Sequence, residues 1–171
     1  MANNSRHPLI FIGFMGTGKS TLAKHISNNE QLSFVDLDSY IVKKENKSIP
    51  QIFSDSGESG FRKLETKYLE ECINKYDVIA TGGGIIESAT ALKLLASQQY
   101  VFWLDCDLNI IYDRIKNDSN RPNANNKSYS ELNDLYLKRV SRYNEIAFTK
   151  LDSANPISIL YEVVMNHINS D

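Results

Sequence analysis

The run Gly13-Phe14-Met15-Gly16-Thr17-Gly18-Lys19-Ser20 has the spacing GxxxxGK[ST] of a phosphate-binding loop. A loop that wraps a polyphosphate must turn its backbone N–H groups inward and let the ligand approach the main chain, and glycine permits both. In that reading Gly13, Gly16, Thr17 and Gly18 surround the phosphates, and Lys19 brings a point charge to the β- and γ-phosphates. Ser20 and Thr21 open the following helix, and the Ser20 hydroxyl is a candidate Mg²⁺ ligand. The motif predicts a binder of nucleoside triphosphate and magnesium.

Further groups of reactive type follow other apolar runs. Asp36-Leu37-Asp38 places two carboxylates two residues apart. Read as an extended segment, that spacing points both the same way, one toward a magnesium shell and the other toward a substrate hydroxyl. The competing reading is a solvated turn or a helix cap. Thr81-Gly82-Gly83-Gly84 offers bare backbone to a second ligand and suggests an acceptor pocket. Arg62, Arg121 and Arg139 lie on three separate segments that can converge on anions. Taken singly, each arginine is more often solvated or ion-paired.

A frame must bring these groups together. Apolar runs over 9–12, 33–35, 78–80, 100–104 and 148–151 read as strands. Helical patterns cover 19–29, 40–44, 49–54, 61–75, 89–97, 108–116, 130–143 and 157–169. Their alternation predicts an α/β fold, a parallel sheet with helices on both faces. In such sheets ligands gather beyond the carboxyl ends of the strands, where the glycine loop and the aspartates both fall. Asp107 is the expected N-cap of the sixth helix, and Pro156 opens the last one, where its missing N–H costs little. Asn- and Ser-rich residues around Pro122 break the helical pattern over 117–128 and predict a mobile loop. No repeat or linker divides the chain, so 1–171 reads as one domain.

Composition narrows the function classes. A chain of 171 residues buries about two-thirds of its unfolded surface without staples. Nineteen Lys and Arg against 21 Asp and Glu leave a formal charge of −2, which argues against a nucleic-acid-wrapping surface. Cys72 and Cys106 form no CxxC pair and read as packing residues in a reducing cytosol. His7, His25 and His167 stand too far apart to suggest a structural metal site. No apolar run approaches the ~18 residues of a membrane span, and no export signal is legible. Without a heptad seam, a monomer is the default expectation.

GFMGTGKS, Asp36-Leu37-Asp38, Phe61-Arg62-Lys63-Leu64-Glu65, the triple glycine, Arg121-Pro122 and Arg139 with Tyr143 together resemble the shikimate kinase family. The resemblance runs in order through nearly the whole chain. It implies a P-loop three-layer sandwich of the nucleoside-monophosphate-kinase type, with a five-stranded parallel sheet in the order 2-3-1-4-5. It further implies a substrate-binding segment over about 36–65 and a lid over about 117–128. The implied activity is transfer of the ATP γ-phosphate to the 3-hydroxyl of shikimate, giving shikimate 3-phosphate and ADP, with Mg²⁺, in chorismate biosynthesis.

By motif position the resemblance makes Lys19, Asp38 and Arg121 catalytic, with Ser20 a metal ligand and Asp36 near the metal through water. Asp38 would contact the shikimate hydroxyls, while Arg62 and Arg139 would pair with its carboxylate. Gly82, Gly83 and Gly84 would line the ring, and Phe53, Phe61 and Glu65 would shape the pocket. Arg121 would belong to the lid, and Arg114 would stack on adenine. Two departures stand out: Arg121-Pro122-Asn123 lacks the family's frequent leucine, and Asp152-Ser153-Ala154-Asn155-Pro156 lacks an adenine-holding arginine. The alternatives are another small-molecule P-loop kinase, such as one acting on gluconate, or a non-catalytic nucleotide-binding regulatory module. A neutral sugar acceptor would not need Arg62 and Arg139 as carboxylate clamps, and a regulatory module has no need of Lys19, Asp38 and Arg121.

Overall fold

Both faces of the central strand are buried, and its residues alternate between two cores. In β1 (Leu9–Ile12), Ile10 and Ile12 face one hydrophobic cluster while Leu9 and Phe11 face the other. A computed structural model describes residues 7–116 and 126–170. With β2 (Phe34–Asp36), β3 (Val78–Ala80), β4 (Tyr100–Asp105) and β5 (Thr149–Asp152), β1 forms a wholly parallel sheet in the order β2-β3-β1-β4-β5. The expected strand count, direction and order are all met.

The helices are α1 (Lys19–Glu30), α2 (Leu37–Glu45), α3 (Ile49–Ile73), α4 (Ala89–Ala96), α5 (Leu108–Lys116), α6 (Tyr129–Ile146) and α7 (Ile157–Asn169). Leu22, Ala23 and Ile26 of α1 and Leu160 and Val164 of α7 cover one face of the sheet. Leu37 and Ile41 of α2, Leu69 and Cys72 of α3, and Leu132 and Tyr143 of α6 pack into the cluster on the other. Burial pushes the Cys72 thiol up to about 12, which suits a packing residue rather than a nucleophile. Among the described residues no helix is long and apolar enough to cross a membrane.

Several boundaries differ from the sequence expectation, each for a local reason. The helix expected over 40–44 begins at Leu37, because Asp36 caps it by accepting from the Ser39 N–H at 3.1 Å. The patterns over 49–54 and 61–75 both fall within α3, and the break expected between them is present at Gly57, whose φ of 67° is non-helical. Ser48 and Gln51 start α3 with a reciprocal capping box, and Ser128 and Glu131 do the same for α6. Asp107 caps α5 as expected, accepting from the Asn109 N–H at 2.8 Å. A 3₁₀ turn, Ile85–Glu87, follows the triple glycine and was not legible in the sequence.

Candidate active site

The strand ends deliver five loops to one rim of the sheet. Gly13 leaves β1 at φ 142°, and a Cβ there would lie 2.3 Å from the Leu104 carbonyl oxygen on β4, so only glycine fits. Gly16 and Gly18 also take positive φ, 77° and 88°, and Gly18 caps α1 directly. The loop thus ends on a helix N-terminus, the favoured seat for phosphate. Thr17, almost wholly buried, braces it by donating to the Phe14 carbonyl at 2.8 Å. The Lys19 ammonium donates to the Gly13 and Phe14 carbonyls at 2.8 and 2.9 Å.

Asp36 and Asp38 do not share an extended segment. Asp36 ends β2 and caps α2, whereas Asp38 lies in the first turn of that helix. The competing reading of Asp36 as a helix cap is the one observed, and the helix start separates the two carboxylates. Asp36 Oδ2 accepts from the Ser20 hydroxyl at 2.5 Å, on the phosphate side. Asp38 instead crowds the triple glycine, since a Cβ on Gly82 would lie 2.9 Å from its Oδ1. Ser20 and Asp36 are paired hard oxygen donors beside Lys19, a set that suits Mg²⁺, which takes few protein ligands and completes its shell with phosphate and water.

The acceptor side is walled by α3, the glycine run and α6. Arg62 donates to Glu65 at 2.8 Å, and Phe61 packs against Phe53 with ring centroids 4.9 Å apart. A Cβ on Gly84 would lie 2.2 Å from an Arg62 terminal nitrogen, so the guanidinium rests on bare backbone. Arg139, on α6, is 7% exposed, and its Nε donates to Glu87 at 3.0 Å. Tyr143, one helical turn further on, stacks on Trp103 and donates its hydroxyl to the Gly83 carbonyl. One cavity of about 810 Å³ joins Lys19, Ser20 and Asp36 to Asp38, Phe53, Arg62, Glu65, Gly82 and Arg139.

Gly82 touches both acceptor carboxylates, because its added Cβ would also lie 3.0 Å from Glu65 Oε2. Those atoms end flexible side chains, so Gly82→Ala displaces Asp38 and Glu65 rather than the backbone. The variant is expected to fold normally by thermal melt, while its KM for the acceptor rises by about tenfold.

Glu65 is 1% exposed, and its Oε2 has no hydrogen-bond partner among the described residues. Burial pushes its carboxyl up to about 7, with Asp38 adding to the rise and Arg62 opposing it. The unfolded chain ionises Glu65 near pH 4.5, so between 4.5 and 7 the fold increasingly resists a charge that the unfolded state accepts. Urea denaturation should therefore show Glu65→Gln gaining on the parent as pH rises through that window, with a constant difference above it. A difference independent of pH would refute a raised carboxyl.

Arg114, on α5, donates to the Gly16 carbonyl at 3.2 Å and to the Ser153 carbonyl at 3.0 Å. It borders a second cavity of about 370 Å³ with Gly16, Gly18, Thr21, Ser153 and Asn155, which adjoins the glycine loop. The loop after β5 supplies Ser153 and Asn155 where the expected arginine is missing. Arg121 and most of the expected 117–128 segment lie outside the described residues. Sequence reasoning missed Lys127 and Met15 on the large cavity and Glu87 behind Arg139. Met15 carries a signal, as part of the glycine loop; Lys127 and Glu87 belong to no motif.

Comparison with known proteins accords with this geometry. The sequence model of the shikimate kinase family matches residues 15–169. Over 168 residues, 98% of each chain, the protein is 55% identical to a shikimate kinase of Staphylococcus haemolyticus. Its fold is similar to that of a shikimate kinase from Acinetobacter baumannii in complex with shikimate, with a TM-score of 0.86 and 30% identity over 97% of this chain and 94% of that one. A shikimate kinase from Aquifex aeolicus gives a TM-score of 0.82 and 31% identity over 95% and 96% of the two chains. With glycine loop, acceptor wall and near full-length likeness in agreement, the chain belongs to the shikimate kinase family.

Proposed function

We propose that the cleft transfers the γ-phosphoryl group of ATP to the 3-hydroxyl of shikimate, giving shikimate 3-phosphate and ADP. One observation supports this reading above the others: a single cavity runs from the Lys19, Ser20 and Asp36 cradle to a wall bearing Asp38, Arg62 and Arg139. Phosphoryl transfer asks little covalent chemistry of a protein, so alignment and charge stabilisation do most of the work. Lys19 carries positive charge to the β- and γ-phosphates, and the loop amides at the start of α1 hold the remaining oxygens. Ser20 and Asp36 would hold Mg²⁺, which when bound would neutralise further charge on the phosphates.

Asp38 orients the 3-hydroxyl toward the γ-phosphorus and takes its proton as the new P–O bond forms. Arg62 and Arg139 hold the shikimate carboxylate, and Gly82, Gly83 and Gly84 let the ring lie close to the main chain. Glu65 steadies Arg62, while Phe53 and Phe61 close the apolar side. Adenine lies along Arg114 in the smaller cavity. The same reading makes 1–171 one catalytic domain, a cytoplasmic monomer with no nucleic-acid or membrane partner.

A coupled ADP-release assay with ATP and Mg²⁺ tests this directly, comparing shikimate, gluconate and no acceptor. Rapid ADP release is expected with shikimate alone. Equal rates in all three would favour a regulatory nucleotide binder, and a preference for gluconate would move the chain to the neighbouring kinase class.

A further inference from the structure

The two guanidiniums of the acceptor wall are backed by different carboxylates. Arg62 is held by Glu65, which itself lines the large cavity; Arg139 is held by Glu87, which does not. Glu87 lies in the 3₁₀ turn immediately after Gly82, Gly83 and Gly84, and its N–H donates to the Gly84 carbonyl at 3.0 Å. Its two oxygens divide their partners. Oε1 takes Arg139 Nε at 3.0 Å, while Oε2 faces Arg142 at 3.2 Å and Lys138 at 3.8 Å. Burial works to raise the Glu87 carboxyl, but Arg139 and its neighbours outweigh burial and hold it below the usual range, so it stays ionised. Arg142 also donates to the Ile86 carbonyl, so the turn and α6 are stitched together at three points.

Three cations of one helix surround a single half-hidden carboxylate, and only the most buried of them, Arg139, faces the acceptor cavity. Without Glu87 the three cations would lose the carboxylate they share, and the long Arg139 side chain would lose the bond to its Nε. We propose that Glu87 is a positioning residue for acceptor recognition: by gripping the Nε edge of Arg139 it presents the terminal amino groups to the acceptor's carboxylate. Because Glu87 continues the glycine run, it also sets the spacing between that carboxylate clamp and the backbone wall. The inference rests on the shikimate reading of the cleft and names a residue outside the family motifs quoted above.

Steady-state kinetics of Glu87→Gln and Glu87→Ala in the full chain test it, with parent turnover of shikimate as the control for the kinase reading. Given that turnover, Glu87→Gln is expected to raise the shikimate KM by about tenfold and Glu87→Ala by more, with the ATP KM changed less than about twofold. In an Arg139→Ala background, Glu87→Gln should add less than about twofold, because its effect passes through the missing guanidinium. Equal rises in both KM values, or effects that multiply in the double variant, would overturn the proposal. Glu87→Gln is isosteric and keeps an acceptor oxygen, so it carries the test if Glu87→Ala does not fold.

Discussion

Lys19→Ala is expected to lower kcat for shikimate phosphorylation by about 10²–10³-fold, the scale of losing one preorganised charge in a phosphoryl or oxyanion site. The ammonium is held by its own loop, 2.8 and 2.9 Å from the Gly13 and Phe14 carbonyls. The ATP KM should rise as well, whereas the shikimate KM should stay within about twofold, since Lys19 belongs to the glycine loop and Arg139 to the wall formed by α6. Initial-rate measurements with each substrate varied separately check this. Turnover within tenfold of the parent would remove Lys19 from the chemistry.

The second large effect belongs to Arg139→Ala, which should raise the shikimate KM by at least about 30-fold. That figure corresponds to the lower end of the ~2–5 kcal/mol lost when one partner of a buried charge pair is truncated. Arg139 qualifies for that scale because it is 7% exposed and stands over the Phe14 ring. Removing it does not strand Glu87, which keeps Arg142 and Lys138, so the fold should survive. The exposed Lys138, 3.8 Å from Glu87, provides the contrast: Lys138→Ala should cost below about 1 kcal/mol in any reading. Unchanged acceptor kinetics in Arg139→Ala would contradict the clamp, whatever happens to ATP.

The donor half of the site was more legible in the sequence than the acceptor half, and the reason is physical. A phosphate cradle is contiguous, since one loop and one helix start supply Gly13, Gly16, Gly18, Lys19 and Ser20, and steric need dictates the glycines. The five strands were legible too, because burial on both faces leaves uninterrupted apolar runs. At Asp36 the competing reading, a helix cap, is the one the fold realises, because sequence spacing does not reveal where the helix starts. The break between the patterns over 49–54 and 61–75 was legible, and Gly57 bends α3 there. Glu87 was silent, since its meaning arises only when α6 returns to the triple glycine from more than fifty residues away. The arginines drew notice in advance as a charge type, but the carboxylates that aim them required the fold.

Arg114 ties Gly16, beyond β1, to Ser153, beyond β5, although β4 lies between those strands. The guanidinium is a rivet across the intervening strand's mouth. Two loops pinned to one side chain cannot drift apart independently, so the smaller cavity keeps its width.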